Sequence, residues 1–102
     1  MNPEILALLN HRLFHIFEGI CHGKKEAFEE YFKLVLLEAV TLVLDYGWEP
    51  EDAERIARIA LTQILGLLTP YTLAAVSTEG AFTWWRKRLR ALLAPYFRDD
   101  GL

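Results

Sequence analysis

The sequence predicts an all-α domain, an irregular bundle of about five helices, four long and one short. Three observations carry this. Apolar residues recur at spacings of three and four along the whole chain. Pro and Gly stand where helices should begin and end, with no repeat, low-complexity segment or linker between them. The composition, 53 % hydrophobic and 25 % charged over 102 residues, is that of one folded domain spanning residues 1–102.

The first helix opens at Asn2-Pro3-Glu4, with Asn as N-cap and Pro at the first helical position. It runs to about His22, where Gly23 is placed as a C-terminal stop. Leu6, Leu9, Leu13, Ile16 and Ile20 draw a single apolar stripe along it.

The second helix covers about Lys24 to Tyr46. Its first half is amphipathic, with Phe28, Tyr31, Phe32 and Val35 on one side and Glu26, Glu29, Glu30 and Lys33 on the other. Its second half is apolar almost all round, with only Glu38, Thr41 and Asp45 making a polar strip. A helix apolar on all sides is expected to be surrounded, so the bundle is expected to pack around it.

Gly47 ends that helix, and Glu49-Pro50-Glu51-Asp52 opens the third, with acids in the first turn where the helix dipole favours them. Its expected inner face is Ala53, Ile56, Ala57, Ala60, Ile64, Leu67 and Leu68. Thr69-Pro70 starts a short fourth helix reaching about Val76. Ser77-Thr78-Glu79 is expected to cap a fifth that ends near Ala94-Pro95. Each junction is short, so neighbouring helices should run antiparallel.

A chain this short buries only roughly two-thirds of its unfolded surface, so its apolar content exceeds what a lone monomer needs. The excess is expected to meet another copy or another protein. The first ten residues show no secretory signal, and the apolar run Leu34 to Leu44 is too short for a membrane span of about 20 residues. Cys21 is the sole cysteine, which excludes an internal disulfide and fits a reducing, cytoplasmic setting.

The net charge of −3 is unevenly placed. Residues 1 to 83 hold six Lys or Arg against twelve Asp or Glu, a balance of −6; residues 84 to 102 hold five against two, a balance of +3. An acidic body therefore carries a basic terminal helix. The stretch Thr83-Trp84-Trp85-Arg86-Lys87-Arg88-Leu89-Arg90-Ala91-Leu92-Leu93 concentrates that charge beside two tryptophans. At helical spacing Phe82, Trp85, Leu89, Leu92, Leu93 and Tyr96 share the core arc. Trp84 instead falls between Lys87 and Arg88, above Ala91. An indole framed by bases points to one of three uses. It covers a neighbouring helix while the bases pair with Glu26, Glu29, Glu30 or Glu54; it anchors a protein interface; or it meets an anionic surface. The acidic body argues against nucleic acid.

Three other groups are candidate sites. His11, His15, Glu18 and His22 fall within an arc of about 60° opposite the apolar stripe. Histidines four apart can chelate a borderline metal ion, and a glutamate can add a ligand. The same pattern also describes a wet polar face or a pH-responsive contact. Glu38, Thr41 and Asp45 form either an acid–base pair or a solvent seam neutralised by Arg55, Arg58 or the bases of the fifth helix. Cys21 reads as a half-buried small hydrophobe, because the side chain of its neighbour His22 points about 100° away. Phosphate-binding loops, dinucleotide fingerprints, nucleophile elbows and zinc-protease helices are absent from the sequence, so no cofactor is expected.

The run Gly47-Trp48-Glu49-Pro50-Glu51-Asp52-Ala53-Glu54-Arg55 through Gly66-Leu67-Leu68 resembles a helix opening in the effector-binding domains of TetR-type regulators. Those domains are all-α and dimerise through their last helices. The resemblance covers about half the chain, and the DNA-binding headpiece has no counterpart here.

The functional expectation is a small soluble protein-interaction module of adaptor, inhibitor or regulator type. It is non-enzymatic, homodimeric or bound to another protein, with a contact face on Trp84, Lys87, Arg88 and Ala91. Two alternatives stand beside it. One is a pocket for an apolar or aromatic ligand lined by Phe28, Phe32, Trp85 and Tyr96. The other is a metal site on His11, His15, Glu18 and His22.

Overall fold

The computed structural model describes residues 2–97. The last part of the basic C-terminal stretch lies outside them. Five α-helices follow one another: α1 (Pro3–Cys21), α2 (Lys25–Asp45), α3 (Pro50–Leu67), α4 (Pro70–Ala74) and α5 (Ala81–Leu93). Single 3-10 turns, Thr78–Gly80 and Ala94–Tyr96, flank α5. The all-α class and the division into four longer helices and a short one are as the periodicity predicts.

Most of the punctuation acts as the sequence implies. The Asn2 side chain accepts from the Glu4 amide at 2.8 Å, capping α1. Gly23 and Gly47 adopt φ of 72° and 99°, the left-handed conformation that stops α1 and α2 without steric cost. Thr69 caps α4 by accepting from the Thr72 amide at 3.0 Å. The start of α5 differs. Ser77-Thr78-Glu79 provides no side-chain cap; those residues lead into the 3-10 turn, and α5 begins after Gly80. Its first turn is satisfied from across the molecule, where the Asn10 side-chain carbonyl of α1 accepts from the Phe82 amide at 2.7 Å. Asn10 is the buried polar residue of the core.

The helices close a bundle in which α2 lies between α1 and α3, and α5 packs on both α1 and α3. Gly19 of α1 meets Ala27 of α2, while Leu9 shares a hollow with Leu34 and Leu37, so α1 and α2 run antiparallel. Tyr31 reaches Leu61, and Val40 lies near Pro50, so α2 and α3 are antiparallel too. Gly19 is required at the α1–α2 crossing: a Cβ there would come within 2.8 Å of the Ala27 Cβ.

The centre of the core is Trp85, Tyr31, Phe17, Leu13, Leu61, Ile64, Leu89 and Leu93, all fully buried. Its polar atoms form a relay: the Trp85 indole N–H donates to the Tyr31 hydroxyl at 3.2 Å, which donates to the Leu61 carbonyl at 3.1 Å. At the far end, Trp48 packs edge-on to Tyr96 and donates its indole N–H to the Tyr96 carbonyl at 2.6 Å, fastening the end of α5 to the α2–α3 turn.

Three expectations need correction. Leu67, assigned to the inner face of α3, is exposed, and Leu61 is buried in that face. Leu92 and Tyr96 are half-buried at the edge of the core arc. The second half of α2 is not surrounded: Leu37 is 78 % exposed and Leu44 39 %. The bundle places α2 as a wall and not as its axis, so one apolar side of the helix is covered and the other is open.

Candidate interaction faces

The open side of α2 carries the exposed Leu37 and Leu44, with Lys33 at its N-terminal end and the half-buried Leu36 and Val40 beside them, packed against the core. The opposite side carries Tyr31, Val35, Ala39 and Val43 into the core. Leu37 stands between two hollows. One, about 390 Å³, lies between α2 and the start of α3 and is lined by Phe32, Leu36, Val40 and Pro50. The other, about 300 Å³, lies where α2 meets α1 and α5 and is lined by Leu9, Leu34, Thr41 and Phe82. A projecting leucine thus stands beside two hollows of mixed lining, the first also bordered by Lys33 and Glu54 and the second by Glu38.

The α5 face has a different character. Trp84 is half-buried, with its ring edge-to-face on Phe17 of α1, centroids 5.7 Å apart. The Arg88 guanidinium lies 5.5 Å over the Trp84 ring. Lys87, Arg88 and Ala91 are exposed around it. Part of the indole therefore covers a neighbouring helix, and its basic frame faces outward. Of the pairings expected for these bases, the one to the Glu38 strip is formed: Arg86 approaches Glu38 of α2 at 3.8 Å and sits over the Phe82 ring. Glu54 pairs with Arg58, and Arg55 with Asp52, within α3. The strip of Glu38, Thr41 and Asp45 is exposed, a solvent seam with Arg86 at one point.

The four aromatics of the ligand-pocket alternative do not converge. Trp85 is fully enclosed. Phe28 is in the first turns of α2, whereas Tyr96 lies against Trp48 just beyond its other end, about 25 Å along the helix. Phe32 lines the hollow beside Leu37.

Comparison with protein-family profiles, with curated proteins and with solved structures finds no match to this chain. The geometry of its faces is what bears on its function.

The histidine stripe lines a groove of about 630 Å³ between α1 and α2. His11 and His15 turn their Nε2 atoms toward each other at 3.1 Å, with the rings at 82°. His15 Nδ1 lies 3.2 Å from the Glu18 carboxylate. His22 turns away, its Nδ1 2.7 Å from the Glu18 backbone carbonyl. Among the described residues no three His, Cys, Asp or Glu side chains gather as a metal cage, so the four-residue set is not brought together as one. Cys21 is half-buried, and burial followed by the Glu18 charge holds its thiol above its ordinary pKa, which makes it a poor nucleophile. Among the described residues no helix is long and apolar enough to cross a membrane.

Sequence reasoning missed Asn10 and the Leu37 ridge. Asn10 is an isolated polar residue whose partner lies 72 positions away. Leu37 belongs to an apolar run, and the run itself does not say which side a neighbour covers.

Proposed function

We propose that this chain is a helical protein-interaction domain that works by binding, with no chemistry of its own, and that it pairs with a second copy of itself through the open side of α2. The observation that carries the reading is Leu37, 78 % exposed and flanked on either side by a hollow whose floor is largely apolar and whose rim is charged. A ridge with a socket beside it is self-complementary: across a two-fold axis the leucine of each copy enters the socket of the other. The apolar residues on both sides of the α2 wall then have partners, one set in the core and the other at the seam.

Light scattering over a concentration series tests this. The wild-type chain is expected to be a dimer and Leu37→Glu a monomer. Helicity should be retained in the variant, because an exposed helical position tolerates substitution within about 0.5 kcal/mol. A wild-type monomer at every concentration would overturn the self-pairing. The basic face of Trp84, Lys87, Arg88 and Ala91 offers a second contact, favoured by the exposure of its three non-aromatic members. A dimer that survives Leu37→Glu but dissociates in Lys87→Glu/Arg88→Glu would move the seam to α5.

A further inference from the structure

We propose that His11 and His15 form a two-histidine chelate for a borderline divalent ion of the Zn²⁺, Ni²⁺ and Cu²⁺ class, with Glu18 as the outer carboxylate that orients one ligand. The inference is independent of the α2 face. Two ring nitrogens, each about 2.0–2.1 Å from an ion, lie about 3.3–3.4 Å apart around a tetrahedral centre and about 2.9 Å apart across a right angle. The two Nε2 atoms are 3.1 Å apart, between those spans, so their separation suits one shared ion.

The third residue supplies the chemistry that distinguishes a chelate from two neighbouring rings. The His15 Nδ1 atom lies 3.2 Å from the Glu18 carboxylate, so an Nδ1 proton on that ring would find an outer acceptor beside it. That tautomer leaves a lone pair on Nε2, directed at His11, in the carboxylate–histidine arrangement that raises the basicity of metal-bound imidazole. In that tautomer, and without an ion, His11 would donate its own Nε2 proton to the lone pair across 3.1 Å. With one, the ion replaces that proton, which moves to His11 Nδ1. Imidazole donors select Zn²⁺, Ni²⁺ or Cu²⁺ over Mg²⁺ or Ca²⁺. Across the same groove, Glu26 and Glu30 of α2 join Glu18 as three carboxylates against the two cations Arg12 and Lys24, a balance that favours a cation. Water completes the coordination, so the ion exchanges freely and remains open to a further ligand.

Calorimetric titration of the full chain with Ni²⁺ or Zn²⁺, with Mg²⁺ as a control, tests the site. One transition-metal ion per chain is expected, and none of Mg²⁺. His11→Ala and His15→Ala should each abolish saturable binding, and Glu18→Gln should weaken it about 10- to 100-fold. His22→Ala, Cys21→Ser and Leu37→Glu should leave it unchanged, and all variants should keep the helical circular dichroism of the wild type. No saturable heat at millimolar ion would overturn the proposal. So would binding that survives His11→Ala, or that is lost in Cys21→Ser.

Discussion

The indole N–H of Trp85 donates to the hydroxyl of Tyr31 across 54 residues of sequence, in a part of the core from which water is excluded. The hydroxyl passes its own hydrogen to the Leu61 carbonyl, so α5, α2 and α3 are joined by one relay. Among the described residues no buried side-chain donor or acceptor is left unmatched. Such a relay is costly to break at one end, because the group left behind stays buried.

Tyr31→Phe should therefore destabilise the fold by about 1–3 kcal/mol, the cost of leaving the Trp85 N–H without an acceptor. Urea unfolding checks this. Adding Trp85→Phe to Tyr31→Phe removes the stranded donor as well, so the double variant should be more stable than the sum of the two single losses.

The same hydroxyl predicts an alkaline dependence. Burial pushes the Tyr31 pKa well above its ordinary value near 10, and the hydrogen bond from Trp85 only partly opposes this. The folded chain keeps a proton that the unfolded chain releases. The stabilisation from this group is therefore fully present and independent of pH below about pH 10, and above it stability falls by up to about 1.4 kcal/mol per pH unit. The stability gap between the wild type and Tyr31→Phe should narrow as pH rises from 9 to 11, read from urea midpoints at each pH.

Asn10→Ala should cost about 1–2 kcal/mol, because α5 has no local side-chain cap and Phe82 loses its acceptor. Asn10→Leu restores volume but not the carbonyl. It should be no more stable than Asn10→Ala, and thermal melts of the pair separate lost packing from a lost hydrogen bond.

Two glycines should respond in opposite directions. Gly19→Ala drives a Cβ to 2.8 Å from the Ala27 Cβ and should cost about 1–3 kcal/mol by forcing α1 from α2. Gly66 lies within α3 with open space where a Cβ would stand, so Gly66→Ala should stabilise by about 0.5–1 kcal/mol. Melting temperatures moving in the same direction would contradict this account of the α1–α2 crossing.

The local rules were readable in the sequence because their causes are local. Asn2, Gly23, Gly47, Pro50 and Thr69 act on the chain within a few residues, and the structure places them as caps and stops. The relay from Trp85, the Asn10 cap and the Gly19 notch depend on partners on other helices, which periodicity does not pair. Phe17 and Leu61 were missed as core residues because each widens an apolar stripe already accounted for by its neighbours at three and four. The His11–His15 pair was legible from its spacing. That Glu18 lies beside one ring while His22 turns to a backbone carbonyl depends on rotamers, which spacing leaves open.

The Asn10–Phe82 bond also sets the order of folding events. Helical hairpins such as α1–α2 and α2–α3 form quickly because their contacts are near in sequence. The first turn of α5 waits for a partner 72 residues earlier, a long loop to close before any reward arrives. Synthesis from the N-terminus allows α1, which carries Asn10, to pack on α2 well before Phe82 emerges. The helix α5 therefore meets an acceptor that α1 already carries.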